Sequence, residues 1–351
     1  MVQYNANLSE YKIITILGQC FDGRAAVHLA KHLPTGQMVA VKKINMDKIK
    51  CDASLVEVEI VLTKQLQHQN IITYHISFIS GQDLCIVSPL FSYGSCRDLI
   101  NQHFNEGLPE QAIITILRDL LDALNYLHRK GFIHRAIRAS HILVSSSGKA
   151  CLAGLRYSCP LINNGRWQKT IHSFPSNTEK NLNWLSPELL EQNLVGYNEK
   201  SDLYSVGMVI CELANGCEPF AGMPKTLMLT EKVRGCTPQL LDCSTVPRDE
   251  NGDCSGGDCD ISPKIVNRRF SDDLHEMAAL CLNRDPFERP SASQLLSHPI
   301  FKTIKKSLPL RDLLKPALPL SDKVAFNSDD VEDLDTDFSQ LEIYSCEWDF
   351  E

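Results

Sequence analysis

Lys42 closes the apolar run Val39-Ala40-Val41-Lys42, and Glu59 follows within a stretch of helical spacing. A lysine on a strand and a glutamate on the next helix make an ion pair whose ammonium can also reach phosphate oxygens. Upstream, Gly18-Gln19-Cys20-Phe21-Asp22-Gly23 is a glycine-bounded loop. Such loops let the backbone approach phosphate closely, and Cys20 in the middle hinders that approach. The other reading of this loop is a plain turn between two strands. Downstream, the run His134-Arg135-Ala136-Ile137-Arg138-Ala139-Ser140-His141 and the triplet Gly154-Leu155-Arg156 add cationic side chains but no acid. No Asp or Glu occurs between Arg129 and Asn177. That stretch therefore offers no carboxylate as general base or as ligand for a hard cation. The chemistry it offers is anion binding by Lys42, Arg156 and His141, with Arg138 nearby.

These residues need elements to position them. Lys12–Leu17, Ala26–Ala30 and Met38–Ile44 alternate or run apolar, with the turn Pro34-Thr35-Gly36 before the last, so the spacing predicts strands. Leu55–Leu66 reads as a helix and Leu84–Ser88 as a short buried strand. Beyond Gly94 the period changes. Ile113, Ile116, Leu117, Leu120, Leu124 and Leu127 form one stripe of a long helix; Val206, Val209, Ile210 and Leu213 form another; Leu274, Met277 and Leu282 form a weaker one. The expectation is an α+β protein: an N-terminal antiparallel sheet plus helix, then a larger, mainly helical lobe, joined near residues 89–95.

The order of the short motifs narrows the fold. Val39–Lys42, Glu59, His134–His141, Gly154–Arg156, Ser186-Pro187-Glu188, Asp202–Gly207 and Arg289-Pro290 form the protein-kinase signature set in order and spacing. The reading is a bilobal kinase-like domain over 11–305, with an N-terminal lobe of about 11–90 and a C-terminal lobe of about 91–305. Measured against that set, the catalytic-loop base is Ala136, the loop's magnesium-binding Asn is His141, and the metal-binding Asp of the next motif is Gly154. Losing the base alone lowers a rate by about 10²–10⁴. The predicted protein is a pseudokinase, not an enzyme. Much of a nucleotide pocket remains. Val27, Ala40 and Leu143 stand where adenine is sandwiched, Ser88 is a small gatekeeper, and Phe91 is the hinge residue with a free N–H to offer. The prediction is ATP held without magnesium, its charge met by Lys42, Arg156 and His141. The alternatives are that Lys42 and Glu59 only hold the helix, and that Arg156 is an ordinary surface arginine.

The runs His134–Leu143, Gly154–Arg156, Trp184–Glu188, Lys200–Gly207, Cys211–Gly216 and Tyr93-Gly94-Ser95 with Asp98-Leu99-Ile100 resemble the sterile-twenty-related adaptor pseudokinases. The resemblance covers 11–305 and returns at the C-terminus. It implies an activating partner that holds a liver kinase B type kinase in an active conformation. It also implies a helical-repeat scaffold, of the type called mouse-protein-twenty-five, that grips a C-terminal Trp-Glu-Phe. This chain ends Trp348-Asp349-Phe350-Glu351, so Trp348 and Phe350 match the anchors, with Asp349 for the glutamate and one further residue. It implies too that the client is retained in the cytoplasm, and a cytoplasmic and nuclear location is expected here.

Charge agrees with an appendage of this kind. The net charge is −8, and residues 321–351 hold eleven Asp or Glu and one Lys. The body is nearly neutral, which gives no basic face for nucleic acid. No window resembles a transmembrane span or a secretory leader. The fourteen cysteines are scattered without a CxxC pair, several in apolar runs, and read as reduced core thiols. Residues 243–268 read as a flexible polar insertion, and 321–351 as an acidic tail carrying a docking peptide. Two competing functions stay open: an unorthodox or weakly active Ser/Thr kinase, and a tail-driven binding module on an inert platform.

Overall fold

The computed structural model describes residues 3–21, 23–49, 52–175, 179–192, 194–246, 262–306, 308–320 and 348–349. The chain forms two compact units, one of residues 1–99, 140–157 and 315–351, the other of 100–139 and 158–314.

The first unit is built on five antiparallel strands. These are β1 (Tyr11–Cys20), β2 (Ala25–His32), β3 (Met38–Asn45), β4 (Ile76–Ser80) and β5 (Asp83–Pro89), in the order β1-β2-β3-β5-β4. Helix α1 (Ala53–Gln65) follows β3 in the chain. The period of two sorts side chains to opposite faces. On β3, Met38, Ala40 and Ile44 join a cluster with Leu17, Val27, Leu29, Ile86 and Val56 of α1. Val39 and Val41 join the opposite cluster with Tyr11, Phe78, Cys85 and Val87, against which Tyr4 and Leu8 pack. Helix α1 buries Val56, Glu59, Leu62 and Thr63, a single face at three- and four-residue spacing. The three N-terminal strands, α1 and β5 lie where the periodicity puts them. Strand β4 was not anticipated, because only Phe78 of its five residues is buried and Ile79 is 73% exposed.

Two further pieces join this unit from far along the chain. The hairpin Ile142–Val144 with Ala150–Leu152 is tied to it by backbone bonds. Ile72 N–H donates to Leu152 O (2.9 Å), Leu152 N–H to Asn70 O (2.8 Å) and Val144 N–H to Gly94 O (2.9 Å). Residues 315–320 return as well, with Leu320 N–H donating to Ser92 O (2.7 Å) and its side chain in the Leu17–Val27 cluster. Residues 140–157 and 315–320 thus group with the N-terminal part of the chain. Hydrogen bonds to residues 70–72 and 94, not proximity in sequence, decide where 140–157 belongs. A sixth strand, Trp348–Asp349, pairs in parallel with the outer edge of β1, opposite Gly18 and Gln19.

The second unit is mainly helical. Glu110–Arg129 carries the whole predicted stripe, with Ile113, Ile116, Leu117, Leu120, Leu124 and Leu127 buried. Lys200–Asn215 is buried on all sides, as a central helix must be. It approaches Asp272–Cys281 closely at Gly207, where an added Cβ would stand 2.7 Å from Leu282. The expected insertion at 243–268 is folded at both flanks. Cys243 N–H donates to Arg268 O (2.9 Å), and Pro263–Asn267 is a helical turn. Residues 247–261, with Cys254 and Cys259, lie outside the described residues. None of the described cysteines forms a disulfide with another described cysteine, and Cys20, Cys85, Cys96, Cys151, Cys211 and Cys281 are buried. Among the described residues no helix is long and apolar enough to cross a membrane.

Candidate functional site

A cleft in the first unit gathers nearly all the predicted binding residues. It encloses about 780 Å³ counted out to its open mouth. Val27, Ala40 and Leu143 line it together with Leu17, Ser88, Leu90 and Phe91, a mainly apolar slot. β1 and β2 supply Leu17 and Val27, β3 supplies Ala40, and the returning hairpin supplies Leu143. The hairpin's place in this unit is thus what closes the slot.

The polar end holds Lys42, Glu59, His141 and Arg156. Lys42 Nζ lies 3.2 Å from Glu59 Oε2 and 3.4 Å from Oε1. Glu59 is held a second time, by the Tyr74 hydroxyl, which donates to Oε1 at 2.6 Å. Burial works to raise the Glu59 pKa, but Lys42, Arg156 and the Tyr74 hydrogen bond outweigh it and hold it below its ordinary value. The same proximity, with burial as the largest cause, drives the Tyr74 hydroxyl well above its usual pKa. The sequence reading missed Tyr74. An isolated tyrosine in a loop gives no periodic signal, and only its hydrogen bond to Glu59 marks it.

Arg156 is 5% exposed and lines the cleft, so it is not a surface arginine. Its guanidinium lies over two aromatic rings, 4.6 Å from the Phe21 centroid and 5.1 Å from that of Tyr157. Burial lowers its proton affinity, but Tyr157, Glu59 and Cys20 more than restore it. His141 is buried beneath Gly154, and its backbone oxygen accepts from Ala153 N–H at 2.8 Å. Gly154 adopts φ +83°, and a Cβ added there would stand 2.8 Å from the His141 ring. The segment read either as a phosphate loop or as a plain turn joins β1 to β2. β1 continues to Cys20, which pairs with Ala25 and is fully buried, and Arg24 N–H donates to Phe21 O at 3.1 Å.

A kinase site of this architecture would hold magnesium at positions 141 and 154. The residues present do not fit it. The His141 ring fills the space that a side chain at 154 would need, and a hard cation prefers oxygen ligands. Among the described residues no cluster of three or more His, Cys, Asp or Glu side chains could hold a metal ion.

The remaining motif residues lie in the second unit. Ala136 is buried, in a loop whose backbone is fixed by Asp202. Asp202 accepts from His134 N–H (2.8 Å), Arg135 N–H (2.9 Å) and His128 Nε2 (2.8 Å). Glu188 and Arg289 form a bidentate buried pair at 2.6 and 2.8 Å. Arg138 is not a cleft residue. Its Nη1 donates to Lys180 O at 3.2 Å and its guanidinium lies over the Trp184 ring. At the C-terminus the backbone of Trp348 is paired with β1, and Phe350 lies outside the described residues.

The protein kinase domain family matches residues 11–301. The human STE20-related kinase adapter protein alpha is 40% identical over 97% of this chain and 84% of its own. The chicken alpha protein is 40% identical over 92% of this chain and 88% of its own. The human beta protein is 38% identical over 89% of this chain and 80% of its own.

Proposed function

Since the chain belongs to the STE20-related kinase adapter family within the protein kinase fold, we propose that it is a catalytically inactive pseudokinase. It binds ATP without magnesium and activates a client kinase of the liver kinase B type. The observation that carries this reading is the pattern of what the site keeps. The groups that fix conformation are intact: Lys42–Glu59 with Tyr74, the Asp202-bound loop, and Glu188–Arg289. The groups that would transfer phosphate are replaced: Ala136 cannot take a proton, and His141 with Gly154 leaves no carboxylate or amide oxygen for a metal. Lys42 and Arg156 are the fixed cations that would meet nucleotide charge. A ligand that binds only the folded cleft stabilises it by an amount that grows with the logarithm of ligand concentration over Kd, and nucleotide and client binding reinforce each other where both prefer the same conformation.

On this reading the acidic tail is the handle for a helical-repeat scaffold of the mouse-protein-twenty-five type. Trp348 and Phe350 are its anchors, and the Trp348–Asp349 strand leaves β1 to engage it. The complex works in the cytoplasm and nucleus, where its many free thiols remain reduced.

The test is thermal unfolding with saturating ATP, in EDTA and in magnesium, alongside client-kinase activity with and without this protein. At about 100 times Kd the ligand adds about 2.7 kcal/mol. Equal stabilisation in both buffers, lost in Lys42→Ala together with client activation, is the expected result. Stabilisation only with magnesium, or phosphate transfer by the purified chain, would sink the proposal and favour an unorthodox kinase.

A further inference from the structure

At the polar end of the cleft, an aromatic side chain of the chain itself lies against two of the lining cations. Phe21, at the tip of the β1–β2 hairpin, is only 8% exposed and packs with Leu17, Cys20, Ala25 and Val27. Its ring centroid is 5.2 Å from Lys42 Nζ and 4.6 Å from Arg156 Cζ. Both cations line the cleft. An aromatic face attracts a cation by its quadrupole, most strongly where water is excluded. Arg156 is covered on a second side by Tyr157.

Phe21 also holds φ +54°, a conformation that costs a bulky residue and persists only when its contacts enforce it. That conformation lets the neighbours Cys20 and Phe21 bury in one cluster, although residues in sequence along a strand would face opposite sides. In this conformation the strained residue holds its ring against both cations.

We propose that Phe21 is a specificity-determining residue, competing with phosphate for Lys42 and Arg156, so that the cleft favours adenosine-class ligands without a phosphate chain and takes nucleotides only by displacing the ring. The proposal rests on the reading of the cleft as an adenine site. Ala40, Ser88, Leu90, Phe91 and Leu143 of the mainly apolar slot are distinct from the cations that Phe21 faces, so the exchange bears chiefly on the phosphate contribution.

The experiment is calorimetric titration of the full chain in EDTA with adenosine, ADP, ATP and inorganic tripolyphosphate. The proteins are the parent, Phe21→Leu and Phe21→Ala, each checked for folding by circular dichroism. Phe21→Leu keeps an apolar side chain and removes the ring face. In both variants the ratio of ATP to adenosine affinity is expected to rise about tenfold. Adenosine affinity should stay within about twofold, and tripolyphosphate should bind the variants more tightly than the parent. An unchanged ratio with unchanged tripolyphosphate binding overturns the proposal. If no adenine compound binds any form, the nucleotide reading fails separately. The tripolyphosphate arm then decides alone: tighter binding to Phe21→Leu upholds the cap, and equal or absent binding in all forms overturns it.

Discussion

At the scale of single residues, His141 and Gly154 act as one substitution. The ring of His141 takes the space above the Gly154 Cα, and φ +83° is a backbone that L side chains rarely adopt. Restoring an acid by Gly154→Asp alone is therefore expected to destabilise by about 1–3 kcal/mol and to restore no phosphotransfer. Adding His141→Ala removes the ring atoms that the new Cβ would meet, so the double variant should be more stable than the sum of the singles, with a coupling of about 0.5–3 kcal/mol. Urea midpoints of the four proteins measure it, and strict additivity would refute the shared-space argument. Glu59 shows the same interdependence in charge. It is buried and ionised only because Lys42, Arg156 and Tyr74 converge on it, so the pair is better described as a four-residue node.

At the scale of elements, the helix Lys225–Arg234 is fastened to the segment before Pro187 by one buried side chain. Lys232 is fully buried, and its Nζ donates to Leu182 O (3.2 Å), Asn183 O (2.8 Å) and Leu185 O (2.6 Å). Burial pushes its pKa down to about 7, against the opposing attraction of Glu188. The folded-state pKa lies below the ordinary lysine value of 10.5. Between about pH 7 and 10.5 the unfolded chain therefore holds the proton that the folded one has lost, and stability rises with pH. Below about 7 both states are protonated and the cost of burying the charge is constant. The parent is thus expected to gain stability relative to Lys232→Met as pH rises from 7 to about 10, by at most about 1.4 kcal/mol per unit. Denaturant midpoints at pH 6.5, 8 and 9.5 test this, and a gap that does not widen with pH would mean the ammonium keeps its proton throughout.

At the scale of the whole molecule, the cleft-bearing unit depends on chain segments that lie far apart in sequence. Residues 315–320 belong to it, and Leu320 is buried in the cluster that includes Leu17 and Val27. Truncation after Leu320 removes the acidic tail and the Trp348–Asp349 strand but leaves this core intact, so the unfolding midpoint should hardly move. Truncation after Leu314 also removes the buried Leu320 and the Ser92 hydrogen bond. It should cost about 2–4 kcal/mol and weaken nucleotide binding. Paired thermal scans of the two truncations check it. Equal midpoints would show that 315–320 is dispensable.

The sequence alone determined the family, the strands other than β4, the long helices, and the residue types at the motif positions. Those are local properties: an alternation, a three-four stripe, or a residue type at a motif position, as in Ile113–Leu127 or Ala136. It also named Lys42, Glu59, Val27, Ala40, Leu143, Phe91, His141 and Arg156, and the fold brings all eight to one cleft. Only the tertiary structure decided how those residues are used. Tyr74 on Glu59, Phe21 over Lys42 and Arg156, and the His141 ring against Gly154 are contacts between segments distant along the chain. So are the capture of 140–157 and 315–320 by the first unit, and the withdrawal of Arg138 to Lys180 and Trp184. A period can report which face a side chain takes. It cannot report which distant segment meets that face, because burial and hydrogen bonding there are settled only when the chain has closed on itself.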